Sequence, residues 1–504
     1  MSRPAATVVL VAVSAALLYA PARDVPLLFD ALSYAAQGAS LAQGQGNTVQ
    51  IGGQLQPGVY PVGVPLLVAA PIAWTGDLRT GVWSILACGV LAVLVTASVA
   101  RRLGGPPAGV LAALLLLSSG AFRDCAGNIL SQVPTALAVI GATWLFVVGR
   151  GRNQLAWAGA VAVLSVLLRN ANAGFPAALV VAACVCGPAP RWKQVVGLGA
   201  GMLPAAALVL LHNQAFYGSP WSTGYDVWDW QVSEQYSLLH VVGGADPSDG
   251  DWPFLQGFLG LGQLYSVPLL LAAMFGVRQA WRRRAAQPAP ARLAVLTCTA
   301  VAAQYALHVP YSFHAESYLV PTVPLMAVMA AFGVGSLLPE RRQALAVAAA
   351  ALLVVLSLAR AEPLSQPKQD AVRTYESLHA VSAAAEPDAV LLTASEPAMV
   401  EQLFLPVGRA HQREVIYLEN YNFGPLKDLA RQDFDAPRVK PHRVLQRANQ
   451  LLRAGRPVYF SLWAPSRVLR PVHHEIHVAL RKNLDLQPTG IENVYRVELP
   501  VEQG

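Results

Sequence analysis

Apolar windows of roughly 16–22 residues with almost no charge recur along this chain as far as residue 360. Each is about long enough for a helix to cross a ~30 Å hydrocarbon layer. Lipid offers no partner to a bare peptide group, so such windows can only be helical where they span. They fall at about 5–20, 80–100, 106–122, 129–149, 154–169, 174–188, 195–216, 259–277, 293–311, 318–338 and 344–359. The expected fold class is a polytopic α-helical membrane protein of about eleven transmembrane helices. Composition agrees, since only 13% of the 504 residues are charged, about half the share of a soluble protein.

Basic residues occupy alternate ends of these windows. Arg101 and Arg102, Arg150 and Arg152, Arg191 and Lys193, the run from Arg278 to Arg292, and Arg341 with Arg342 mark the cytoplasmic side. Asp30, Asp77, Asp124, Asp226 and Glu316 are among the acids at the other side. The expected topology is that of a bacterial inner (cytoplasmic) membrane protein, N-terminus inside and C-terminus outside. Arg3, the first apolar run and Ala20-Pro21-Ala22 also fit a cleaved signal peptide, and Asp30 lies outside under either reading. The net charge of +7 is spread over short loops, which does not point to nucleic acid. Five cysteines, in or beside apolar windows, form neither a disulfide framework nor a zinc pattern.

Two units are expected. Residues 1–360 form the transmembrane unit, with a first extracytoplasmic loop at about 21–79. Within that loop the stretch from Pro61 to Trp74 is short and punctuated by proline, as suits a helix lying at or dipping into the interface. Residues 361–504 are polar and mixed. Strands are expected at Asp388–Thr393, Glu414–Leu418 and Pro457–Trp463, with helices at Glu396–Leu405, His442–Ala454 and Val468–Asn483. That alternation implies a small extracytoplasmic α/β domain. Its His473-His-Glu-Ile-His477 is not a zincin helix, because the position four after His474 is Val478.

An acid at the membrane surface costs free energy unless it is solvated, paired or used. Asp30 has no basic partner at helical spacing and would share a helix face with Tyr34. A solvated loop acid or a helix cap would explain a lone Asp. Four further stretches add to it. Gln56–Ile72 sets two prolines and two glycines around Tyr60; Ile129–Ile140 opens a span with Ser131 and Gln132. Leu167–Leu179 puts Arg169 at the outer end of a helix of about 14 residues, roughly 21 Å long. The break at 170–174 should therefore lie below the surface, lining a polar cavity or buried in protein. Leu210–Trp230 leaves the membrane with Asn213 and a bent, aromatic loop containing Trp221 and Tyr225.

These stretches, in this order, resemble the GT-C class of integral-membrane glycosyltransferases, which includes protein O-mannosyltransferases and the lipid A aminoarabinose transferase. The family opening is matched by Asp30, Tyr34, Ala39, Leu41, Gly44 and Gly46. A Tyr-Pro-rich element is matched by Tyr60-Pro-Val-Gly-Val-Pro-Leu-Leu, an Asn-to-Tyr element by Asn213 to Tyr225, and a late Tyr-Leu-x-Pro element by Tyr318 to Pro324. The likeness covers about residues 5–340. It departs at Gln132, where many relatives carry a second acid, with Asp124 the nearest substitute. It departs again at Ser317, where an arginine is usual, with His314 and Glu316 close by.

The resemblance implies a sugar transferred from a polyprenyl-phosphate-linked donor to a glycan, lipid or protein acceptor, with inversion. Asp30 would be the general base, because an acceptor hydroxyl is a weak nucleophile at neutral pH. Arg169 would receive the leaving phosphate, bidentately; snorkelling to outer headgroups explains the same residue. Tyr34, Tyr60, Asp124, Gln132, Asn213, Trp221, Tyr225, His314 and Glu316 are the remaining candidates for donor or acceptor binding. Participation of a divalent cation is left open. Two other classes fit less well: a flippase of lipid-linked sugars, which would show inverted repeats, and a non-catalytic glycan-binding assembly protein.

Overall fold

A computed structural model describes residues 12–14, 16–18, 29–51, 54–148, 152–186, 191–227, 267–308, 316–359, 366–393, 400, 403–404, 413–418, 439–461 and 470–500. The first expected span is seen only at 12–14 and 16–18, which are helical, with Leu18 buried. The first loop is more structured than expected. Helix α1 (Phe29–Ala42) is buried along nearly its whole length, and a hairpin of β1 (Thr48–Ile51) and β2 (Gln54–Pro57) follows it. Val49 and Ile51 alternate inward on β1. The Pro-punctuated stretch is α2 (Gly63–Thr75), ended by Gly76 in the left-handed region at φ 74°. Its Leu66 and Trp74 are exposed.

Close approach between α1 and α2 depends on Gly38, where a Cβ would stand 2.6 Å from Val68. A 3₁₀ turn, Leu78–Gly81, packs on both helices, its N–H groups received by Asp77.

Helix α3 (Val82–Ser118) contains two of the expected spans. Gly105, at φ 83°, precedes Pro106 and Pro107 and breaks it. The two halves fold back on each other. A Cβ at Gly109 would lie 2.9 Å from the Ala97 carbonyl, whereas a straight helix would hold these residues about 18 Å apart. Next come α4 (Gly120–Ala126), α5 (Gln132–Val148) and α6 (Arg152–Leu164), which ends in a 3₁₀ turn at Ser165–Leu167. The expected break is a second such turn, Asn170–Ala173, leading into α7 (Gly174–Cys186). Beyond it stand α8 (Arg191–Tyr217), the short α9 (Gly224–Val227), α10 (Val267–Arg282) and α11 (Pro288–His308). The 3₁₀ segment Glu316–Thr322 leads into α12 (Val323–Leu337), and α13 (Glu340–Ala359) follows.

Lipid gives helices little hydrophobic reason to associate, so small residues at crossings do much of the joining. Gly159 and Gly201 bring α6 against α8, and Gly276 and Gly333 bring α10 against α12, each against a backbone carbonyl of the other helix. Helix α12 is buried from Val323 to Gly333 and lies at the centre. Among the described residues, three helical stretches are long and apolar enough to cross a membrane: 78–118, which doubles back at Gly105, Arg191–Tyr217 and Tyr318–Leu337. Five shorter apolar helices accompany them. The chain is a multi-pass membrane protein.

The C-terminal part holds a five-stranded mixed sheet in the order β4-β3-β5-β7-β6. Strands β3 (Val390–Thr393), β4 (Glu414–Tyr417) and β5 (Val458–Ser461) are parallel and stand where the sequence places strands. The antiparallel pair β6 (Asp485–Pro488) and β7 (Val494–Glu498) was not expected, nor was α14 (Gln366–Ala384). Helices α15 (Pro441–Arg453) and α16 (Arg470–Asn483) match two expected helices, and of Glu396–Leu405 only residues 400, 403 and 404 are described.

The strand alternation sorts the sheet's two faces. Val390, Leu392 and Phe460 pack under α15 and α16. Leu391, Tyr417 and Tyr459 join α14, and through it the core of the transmembrane helices. A clasp adds to that joint. The Tyr375 hydroxyl donates to Asp77 Oδ1 at 2.7 Å, and the Arg79 guanidinium covers the Tyr375 ring at 4.7 Å and pairs with Glu376 at 3.5 Å.

Candidate active site around Asp30

Asp30 opens α1, where a carboxylate suits the positive end of a helix. It is partly buried, and its Oδ1 accepts a hydrogen bond of 2.5 Å from the Tyr60 hydroxyl. Tyr34, one turn along, stacks on Tyr60 with ring centroids 4.5 Å apart, and Tyr225 meets Tyr60 edge-on at 5.9 Å. Burial first, and the Asp30 carboxylate next, push both the Tyr34 and Tyr60 phenols well above the ordinary tyrosine range. Both are held neutral, and the Tyr60 phenol donates to Asp30.

The motif glycines explain how distant stretches meet here. A Cβ at Gly224 would run into the carbonyls of Gly58 and Val59. Only glycine at that position lets α9 lie against the Tyr60 loop and bring Tyr225 in. Gly63 has the same function on the other side, where a Cβ would stand 2.6 Å from the Leu167 carbonyl. This presses the start of α2 against the turn that leads to Arg169.

Arg169 sits in extended backbone between the two 3₁₀ turns, and its guanidinium lies over the Tyr318 ring at 4.7 Å. Asp30, Arg169 and Tyr318 all act electrostatically on the Tyr34 hydroxyl, which shares a hydrogen bond with Ser131. Below the turn, Gln304 donates to Asn172 Oδ1 at 3.0 Å, and Asn172 donates to Ser165. Asn172 is fully buried, so this side-chain network holds the break where lipid could not.

Two buried residues escaped the sequence reading. Gln37 Nε2 donates to Asn47 Oδ1 at 2.7 Å and to the Tyr60 carbonyl at 2.9 Å, and Gln37 Oε1 accepts from the Tyr60 N–H at 3.3 Å. Asn47 Nδ2 reaches the Tyr60 carbonyl at 3.2 Å and the Tyr217 hydroxyl at 3.3 Å. Together they fix the Tyr60 backbone, and so the direction of its hydroxyl. A lone Gln in an Ala-rich helix is the only signal the sequence carried.

No protein-family model matches the sequence, and no curated protein matches it. Solved structures do. ArnT from Cupriavidus metallidurans bound to undecaprenyl phosphate superposes with a TM-score of 0.62 at 15% identity, over 98% of each chain. Its apo form gives 0.58 at 15% identity, over 99% of this chain and 98% of that one. The Archaeoglobus fulgidus oligosaccharyltransferase in complex with zinc and sulfate gives 0.52 at 11% identity, over 98% of this chain and 74% of that one. The chain has the GT-C glycosyltransferase fold.

Within this GT-C fold the other expected residues are scattered. Gln132 is buried at the start of α5, next to Ser131, and its Oε1 lacks a hydrogen-bond partner. Asp124 is exposed on α4. Asn213 donates to the Pro220 carbonyl at 3.2 Å, which fixes the bend of the loop, and Trp221 is 80% exposed. His314 and the Glu316 side chain lie outside the described residues. Among the described residues no three His, Cys, Asp or Glu side chains gather as a metal ion would need.

Proposed function

We propose that this protein transfers a sugar from a polyprenyl-phosphate-linked donor to an envelope acceptor at the outer face of a bacterial-type inner membrane. One observation carries the reading: a carboxylate held by Tyr60 and a guanidinium held by Tyr318 act on the same buried Tyr34 hydroxyl. On that basis we read Asp30 as the proton acceptor and Arg169 as the receiver of the departing phosphate. The likeness to a transferase structure that contains undecaprenyl phosphate supports the same class of donor. About eleven spans, with the C-terminal sheet domain outside, belong to this proposal.

The chemistry follows from the groups present. The acceptor hydroxyl oxygen attacks the anomeric carbon as the bond from that carbon to the phosphate oxygen breaks. The electron pair leaves with the polyprenyl phosphate, and direct displacement inverts the anomeric centre. The acceptor's proton passes to Asp30, whose Oδ1 is already turned by Tyr60, leaving Oδ2 to meet it. Arg169 offers paired N–H donors to the departing phosphate.

Purified protein with radiolabelled polyprenyl-phosphate sugars, wild type against Asp30→Asn, tests the reading. Transfer by the wild type, and transfer slower by on the order of a hundredfold or more in the variant, is expected. Equal transfer by both would remove Asp30 as the base.

A further inference from the structure

We infer that the outer face of the C-terminal domain, formed by α15 and α16, binds an anionic polysaccharide. The two helices lie side by side on one face of the sheet. The other face is joined to the transmembrane core through α14. The exposed residues of α15 and α16 therefore point away from the body that spans the membrane.

Those residues are cationic. Arg443, Arg453, Arg481 and Lys482 are exposed, as are Lys440 just before α15, His442 and His474, and Glu475 is the one exposed acid among the described residues of the two helices. None of the five cations forms an ion pair with a described residue. Other arginines of the domain are engaged, Arg447 of α15 among them. Arg413 donates to the carbonyls of Ser382, Ala385, Glu386 and Phe404, and Arg447 and Arg456 hold Glu414. Arg373 pairs with Glu492, and Arg496 with Glu386 and Glu498.

These unpaired cations give the face a net positive charge, which a polymer with repeated negative groups would neutralise. Neither helix contains Phe, Tyr or Trp, so the stacking platforms that single-stranded nucleic acid uses are missing. The side of the membrane and the choice of a glycan rest on the proposed function.

The test uses the full chain in nanodiscs of neutral lipid, with fluorescein-labelled polygalacturonate and neutral dextran as probes. Wild type is expected to bind polygalacturonate and not dextran, more weakly as salt rises. The combined variant Arg443→Gln, Arg453→Gln, Arg481→Gln, Lys482→Gln should bind on the order of tenfold more weakly or worse, with an unchanged melting temperature. Equal binding by wild type and variant, equal binding of dextran, or no binding of polygalacturonate would overturn the inference. Binding to anionic vesicles without binding to the polymer would also overturn it, by moving the partner to the membrane. Asp30→Asn is expected to bind polygalacturonate like wild type, so a failure of the proposed catalysis would be seen separately.

Discussion

Tyr60 donates its phenolic hydrogen to Asp30 Oδ1 at 2.5 Å, although the two residues are 30 positions apart and belong to different elements of the first loop. The pair joins the two most suggestive motifs of the sequence into one site. Removing the hydroxyl alone, as Tyr60→Phe, should lower the transfer rate by roughly tenfold, in keeping with a charge-assisted hydrogen bond. Asp30→Asn should cost on the order of a hundredfold or more, the usual contribution of a general base. Initial-rate comparison of the two variants on one donor checks the ranking, and a more active Asp30→Asn would contradict it.

Arg169→Ala should weaken use of the donor while leaving the fold intact. The guanidinium rests on Tyr318 and forms no ion pair with a described residue, so its loss leaves no described acid unpaired. A raised KM for donor with an unchanged melting temperature is the expected result. Normal donor affinity would favour a residue that only anchors the outer membrane surface.

Gly224→Ala should destabilise the protein by about 1–3 kcal/mol, because the new methyl group would meet two carbonyls of the Tyr60 loop. Gly44→Ala is a useful contrast. It adds a Cβ where nothing lies within 4 Å, and its cost comes only from a φ of 76°. Thermal melts in one detergent should rank Gly224→Ala as the more damaging.

Asn47→Ala removes its hydrogen bonds with Gln37, Tyr60 and Tyr217 and leaves Gln37 bonded only to the Tyr60 backbone. Each lost bond costs about 0.5–1.5 kcal/mol. A lower melting temperature together with a reduced transfer rate is expected, since Asn47 supports the residue that turns Asp30.

The clasp between the sheet domain and the first loop should depend on pH. Burial alone would raise the Asp77 carboxyl, but hydrogen bonds from Tyr375 and Arg79 outweigh it and hold the group below the ordinary carboxylate range. A carboxyl depressed in the folded state stabilises fully above its unfolded pKa, and that contribution is lost as pH falls through the folded value. Wild type should therefore lose melting temperature below about pH 4. Tyr375→Phe should start lower by on the order of 1 kcal/mol at neutral pH and fall less steeply. Melting curves of both proteins across that range check the sign.

Membrane helices were legible because their signal is one of composition: a bilayer demands uncharged windows whatever they pack against. Asp30, Tyr60, Arg169 and Tyr225 were legible as unusual residues in bent, glycine-rich stretches. The β1–β2 hairpin carried a signal that went unread, Gly52-Gly53 between alternating residues. Strands β6 and β7 are short and half polar, and only their pairing in the sheet identifies them.

Whether these residues meet depended on long-range packing. Gly224 against Gly58, and Gly63 against Leu167, are contacts between segments far apart in the chain, and no local propensity encodes them. Gln37 and Asn47 looked like ordinary polar residues until folding enclosed them around the Tyr60 backbone. Local chemistry along the chain thus sufficed for the lipid-compatible helices and for the identity of the reactive groups. Their placement around one hydroxyl came from tertiary packing, because it depends on backbones approaching more closely than any side chain but hydrogen allows.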